Sequence, residues 1–136
     1  MTNALATTKA IGFTMGGAAG GSSLQGYIHT SYDVLRGCFG LPTCDGDGDK
    51  VDAEWIITFN DGVVCTIYNW KNGHNYCGYD GLDVEDITEW HIGGVRGTGA
   101  ESRVKEVVGA YLDKICGRGA YVHPLTDSIT KLVAAL

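Results

Sequence analysis

Four groups of residues in this chain have types and spacings that bear on chemistry. Cys38 and Cys44 with His74 and Cys77 make four soft ligands of the kind zinc accepts. Their spacing, Cys-x5-Cys with His-x2-Cys, is irregular for a zinc module, and Cys38 falls at a helix end where packing would bury it. Folding without metal or cofactor is therefore the expectation. Asp45-Gly46-Asp47-Gly48-Asp49 has the alternating acids that begin a calcium loop. The sixth and twelfth positions of such a loop require Gly and Glu, and here they hold Lys50 and Ile56, so a tight acidic turn is expected instead. His91 stands between Trp90 and Ile92 just before Gly93-Gly94, a strand-end setting in which an imidazole can bind an anion or take a proton. Glu54, Glu89 and Asp52 are the carboxylates that could serve it, although a backbone-satisfied imidazole is the plainer expectation. Gly16 to Gly21 is glycine-rich but lacks both the Gly-Lys-Ser/Thr of a P-loop and the Gly-x-Gly-x-x-Gly of a dinucleotide site. It reads as a connector, after which Ser22, Ser23 and Gln25 can offer hydrogen bonds to a ligand. No Gly-x-Ser-x-Gly elbow is present, which argues against a serine hydrolase.

The elements that must position these residues are readable from periodicity. Val51 to Lys71 has the pattern of a β-hairpin, with two β-branched and aromatic runs flanking Asn60-Asp61-Gly62. The Asp-Gly pair is expected to supply the positive φ angles of its turn. Val51, Ala53, Trp55, Ile57 and Phe59 alternate with Asp52, Glu54, Ile56 and Thr58, so one face can be buried while the other stays wet. In the second run Val63, Cys65 and Ile67 take the core face, which leaves Val64, Thr66, Tyr68 and Trp70 on the opposite one. Strands are also expected over Ala10–Met15, Ser22–Ile28 and Thr88–Ile92. A helix over Tyr32–Cys38, capped by Thr30 or Ser31, turns Leu35 and Phe39 inward and stops at Gly40. Asn72 to Asp83 reads as a loop. Thr98 and Glu101 match a capping box ahead of a helix whose Val104, Val107, Val108, Tyr111, Leu112 and Ile115 recur at the helical period, with Gly117 at its end. A last short helix fits Thr126 to Leu136.

The order of elements predicts an α+β fold, an antiparallel sheet of about four strands with two or three helices packed mainly on one face. Its 136 residues suit a single domain, with residues 1–10 as a loose tail. A net charge of -6 argues against gripping nucleic acid by its phosphates. It suits an ordinary globular domain or an acidic ligand for a basic protein surface. No apolar run approaches the about 20 residues that span a bilayer, and no basic-then-apolar leader begins the chain. An odd set of five cysteines without such a leader fits reduced thiols in a cytosol.

Several strings of residues carry a resemblance. Ser22-Ser23-Leu24-Gln25-Gly26-Tyr27, Ser31-Tyr32-Asp33-Val34-Leu35 with Phe39-Gly40, Gly48-Asp49-Lys50-Val51-Asp52-Ala53-Glu54-Trp55, Thr66-Ile67-Tyr68-Asn69-Trp70-Lys71 and Glu89-Trp90-His91-Ile92-Gly93-Gly94 look like a family of small uncharacterised bacteriophage proteins. The likeness covers roughly residues 22–112. Cys38-Phe39-Gly40-Leu41-Pro42 ahead of Trp55 is also similar to the helix-then-hairpin unit of the beta-lactamase inhibitor protein group, although one copy stands here rather than two. That group binds partners on the open face of an antiparallel sheet.

The resemblance implies a phage-derived, non-catalytic binding protein that acts in the host cytosol by inhibiting a host antiviral defence protein, in the manner of an anti-CRISPR. Binding is expected to involve Tyr68, Trp70, Trp90 and His91, with Ser22, Ser23 and Gln25. One alternative is a binder that sequesters a nucleotide-like signal by tryptophan stacking. Another is a small enzyme that uses His91 with a nearby carboxylate.

Overall fold

The computed structural model describes residues 11–116. The expected tail over residues 1–10, Gly117 and the helix expected over Thr126 to Leu136 lie outside the described residues. Five strands form one sheet: β1 (Phe13–Met15), β2 (Ser23–His29), β3 (Glu54–Phe59), β4 (Val64–Tyr68) and β5 (Glu89–Gly94). Their spatial order is β1-β3-β4-β5-β2, and every neighbouring pair is antiparallel. The α+β expectation holds, with five strands where about four were expected. The helices are α1 (Tyr32–Phe39), α2 (His74–Cys77) and α3 (Ala100–Cys116).

Alternation along the strands decides which face is covered. Trp55, Ile57 and Phe59 of β3, Cys65 and Ile67 of β4, and Trp90 and Ile92 of β5 are all buried on the side that meets α1 and α3. α1 adds Val34, Leu35 and Phe39, and α3 adds Ala100, Val104, Val107 and Val108. Trp55 and Trp90 lie edge to face at 5.4 Å, and each buried indole N–H is satisfied. Trp55 donates to the Gly40 carbonyl at 2.9 Å and Trp90 to the Thr30 carbonyl at 3.0 Å.

The local signals worked unevenly. Ser31 is the cap of α1, its Oγ accepting from the Val34 amide at 3.1 Å. The hairpin turn needs only one positive φ, at Gly62. Its three-residue loop closes through the Gly62 amide on Phe59 O and the Phe59 amide on Val63 O, a type I turn followed by a left-handed glycine. The capping box at Thr98 does not form. Thr98 Oγ1 donates back to Val95 O, and Glu101 instead pairs with Lys105 along α3. Gly93 and Gly94 continue β5 rather than end it. The segment Asn72 to Asp83 is not a plain loop, since it holds α2 and a single turn of 3₁₀ helix over Gly78–Asp80. None of the described helices is long and apolar enough to cross a membrane.

Candidate binding face

Antiparallel register carries one row of side chains straight across the uncovered face. Glu54 pairs with Tyr68, Tyr68 with His91, and His91 with Tyr27, so β3, β4, β5 and β2 each give one residue. Tyr27 meets the His91 ring edge-on at 4.8 Å, and Tyr68 packs against the same ring at 5.4 Å. Trp70, just beyond β4, stacks on His91 with centroids 6.2 Å apart and planes 27° apart. Tyr27 and Trp70 remain 44% and 39% exposed, so half of this aromatic patch faces solvent.

A polar hub sets Trp70 in place. Asn69 is fully buried. Its Oδ1 accepts from the Asp52 and Ala53 amides at 2.7 and 3.1 Å, and its Nδ2 donates to Asp52 Oδ1 and Asn72 Oδ1, both at 2.9 Å. The other Asp52 oxygen accepts from the Asn75 amide at 3.1 Å, which ties α2 to the start of β3. Lys71, at a φ of 61°, then turns the chain and lays its ammonium 5.7 Å from the Trp70 ring centroid and 5.4 Å from that of Tyr76.

The next row of the sheet is concave. Ile56 pairs with Thr66 and Thr66 with Gly93. A Cβ on Gly93 would collide with Thr66 Oγ1 and come within 3.3 Å of the Tyr68 ring, so glycine makes room here for both side chains. The glycine-rich loop closes over it. The Gly16 amide donates to Ile56 O at 2.7 Å, and Thr58 Oγ1 donates to Gly16 O at 2.6 Å. The resulting cavity, about 210 Å³, is lined by Ser22 and Ser23 from the loop end and by Glu54, Thr66, Tyr68 and Gly93 from the sheet.

Of the residues expected to bind, Tyr68, Trp70 and His91 are brought together, and Ser22 and Ser23 line the adjoining cavity. Trp90 is corrected: it is 0% exposed and belongs to the covered face. Its neighbour His91 takes the open face, because successive strand residues point to opposite sides. Gln25 sits where the β2 register shifts, and its amide turns back onto Ser23 O, Ser23 Oγ and Leu24 O. Tyr27 and Glu54 were not among the expected binders. Tyr27 precedes the core residue Ile28, which marks it as outward-facing, but its place beside His91 depends on a pairing 64 residues distant in sequence.

The other chemical groups are held by local bonds. His91 lies below the ordinary histidine range because the surrounding rings desolvate it, with Glu89 pulling weakly the other way. No carboxylate of the described residues hydrogen-bonds to it. Asp52 is committed to Asn69 and Asn75, and Glu89 meets His29 at 3.2 Å. The four soft ligands do not converge, and among the described residues there is no group of three or more His, Cys, Asp or Glu placed to hold a metal. His74 bonds through Nδ1 to Gly78 O and through Nε2 to Asp83, while burial pushes the Cys38 thiol up to about 12. Asp47 is a turn cap, its Oδ1 accepting from the amides of Asp49, Lys50 and Val51 at 2.8–2.9 Å. No family model matches the chain, and no curated protein or solved structure matches it either.

Proposed function

We propose that this chain is a non-catalytic binding protein that engages a protein partner through the uncovered face of its sheet. The supporting observation is the aromatic row Tyr27–His91–Tyr68 with Trp70, half exposed on a face that the helices leave bare. Tyrosine and tryptophan are enriched among the residues that dominate interface energies. A chain with a net charge of -6 favours a partner with a basic surface. The motif resemblance to small bacteriophage proteins adds the biological setting: a phage-derived inhibitor of a host antiviral defence protein, acting in the host cytosol.

The other readings draw less support. A nucleotide-like ligand needs cationic or amide donors for its phosphates, and the cavity beside the aromatic row offers a carboxylate and no basic side chain. An enzyme built on His91 needs a group to orient the imidazole, and its neighbours are aromatic rings.

Capture from a phage-infected host lysate tests the proposal. The wild-type chain should retain one stoichiometric protein that Trp70→Ala and Tyr27→Ala lose while remaining folded. Equal capture by wild type and both variants would overturn the aromatic face as the binding surface.

A further inference from the structure

We infer that the cavity under the glycine-rich loop is a receptor for a guanidinium group. This deepens the binding proposal, and rests on it only for where the guanidinium comes from. The charged group at the cavity is the Glu54 carboxylate, an acceptor, with the hydroxyl-bearing Ser22, Ser23 and Thr66 around it; Ser23 Oγ already accepts from Gln25 Nε2. Glu54 has no cationic partner among the described residues. Its side chain accepts from the Cys44 thiol at 3.4 Å, a weak donor that leaves most of the carboxylate's capacity free. The Ser22 hydroxyl is buried without a hydrogen-bond partner.

Shape selects among cations. At about 210 Å³ the cavity is smaller than the roughly 300–1,000 Å³ of sites that enclose drug-sized ligands, so it accepts a headgroup rather than a whole nucleotide or cofactor. Tyr68 lines one side, its ring packed over Gly93, and Thr66 lines the cavity beside it. A planar guanidinium stacks on an aromatic wall and meets a carboxylate with two parallel N–H donors, whereas an ammonium does neither as well. Glu54 and Tyr68 are directly paired across β3 and β4, so the carboxylate and the ring share one register position. The cavity also adjoins the aromatic row through Tyr68. An arginine projecting from a basic partner can enter it while neighbouring residues of that partner cover Trp70.

Amide resonances of the ¹⁵N-labelled full chain provide the test, with arginine amide, lysine amide, citrulline amide and a capped Gly-Arg-Gly peptide as separate probes. Arginine amide at millimolar concentration should move the Ser22, Thr66 and Gly93 amides, and citrulline amide should bind about tenfold more weakly or worse. Glu54→Gln, checked for an unchanged melting temperature, should abolish the shifts. Tyr68→Leu, which removes the stacking ring but keeps a bulky apolar side chain, gives the second variant and should weaken them. Shifts from the capped peptide that exceed those from the amino-acid amide assign the guanidinium to a protein side chain. The reverse order assigns it to a free small molecule. Binding of lysine amide or citrulline amide equal to that of arginine amide, no movement of these amides, or shifts that survive in folded Glu54→Gln would overturn the inference. Lysate capture that depends on Trp70 would still stand in those cases, so the two proposals fail separately.

Discussion

The two faces of the same sheet are built from similar residue types and put to opposite use. On the covered face Trp55 and Trp90 pack edge to face, are fully buried and have both indole N–H groups bonded to backbone carbonyls. On the open face Tyr27, Tyr68 and Trp70 surround His91, and two of the four rings remain substantially exposed. Covered aromatics contribute most of their apolar area to folding. Exposed aromatics keep that area for whatever next covers them. The contrast shows that aromatic content alone does not mark a binding surface. On the proposed function, the lack of helix coverage does.

The largest way to break the comparison is to remove a ring from the covered face. Trp55→Ala should cost about 3–5 kcal/mol, from lost contacts and the cavity left behind. Trp90→Ala should fall in the same range, and it separates the core reading of Trp90 from the binding role first expected for it. Denaturant midpoints check both, and an unchanged midpoint for either would remove that residue from the core. The next effect belongs to the hub between the faces. Asn69→Ala leaves the Asp52 and Ala53 amides without their acceptor and should cost about 2–3 kcal/mol. It should also loosen Trp70, visible as a loss of its stacking on His91 in ring-current shifts. Asn69→Asp keeps the acceptor but sets a buried carboxylate oxygen against Asp52 Oδ1 and Asn72 Oδ1, where the amide donated, and should be at least as destabilising.

Most of the covered face was legible because alternation is local. Val51 to Phe59 announces its buried side within nine residues, and α3 announces its stripe within two turns. The open face was only half legible. Tyr68 and Trp70 are two apart and could be assigned to one side by parity. Their meeting with His91 and Tyr27 depends on the β4–β5 and β5–β2 pairings, which no local pattern encodes. Trp90 was misplaced for a different reason: it lies next to His91 in sequence, and the alternation that puts the two on opposite faces is a local rule that was not applied to it. The cavity was less legible still. It depends on a glycine opposite a threonine and on a loop folding back to Ile56 O and Thr58, and none of those contacts has a sequence signature. At Asn72–Asp83 the glycines and asparagines suggested a loop, but Asp52 and Asn69 bind this stretch closely enough to hold a helical turn.

Substitutions on the open face sharpen the comparison from the other side. Trp70→Ala and Tyr27→Ala should each change stability by about 1–2 kcal/mol, less than the covered-face tryptophans, because 39% and 44% of these residues is already exposed. Tyr68→Ala should cost more than either, since the Tyr68 ring is half-buried between Glu54, His91 and the cavity. All three should reduce partner capture. Paired measurement of melting temperature and capture gives the ratio that matters, and melting far below wild type in Trp70→Ala would make Trp70 a core residue.

The smallest expected effect is electrostatic, and it reads the open face without unfolding anything. His91 and His74 depart from the ordinary histidine value of 6.5 in opposite directions. His91 is lowered first by desolvation among the rings. His74 is raised first by its bond to the Gly78 carbonyl and then by Asp83. For His91 the unfolded chain binds the extra proton between its lowered folded value and 6.5. Its contribution is therefore present above 6.5 and lost as pH falls through that window. For His74 the folded chain holds the extra proton, so its contribution is present below 6.5 and lost as pH rises through its raised folded value. Imidazole C2 proton shifts followed by NMR across the neutral range should give His91 titrating at lower pH than His74. Trp70→Ala readmits water beside His91 and should raise its titration toward 6.5, leaving His74 where it was. Asp83→Asn should do the converse, lowering His74 alone. A His91 midpoint that ignores the removal of Trp70 would mean that the indole does not shield the imidazole in solution. The open-face cluster would then lose its fourth ring.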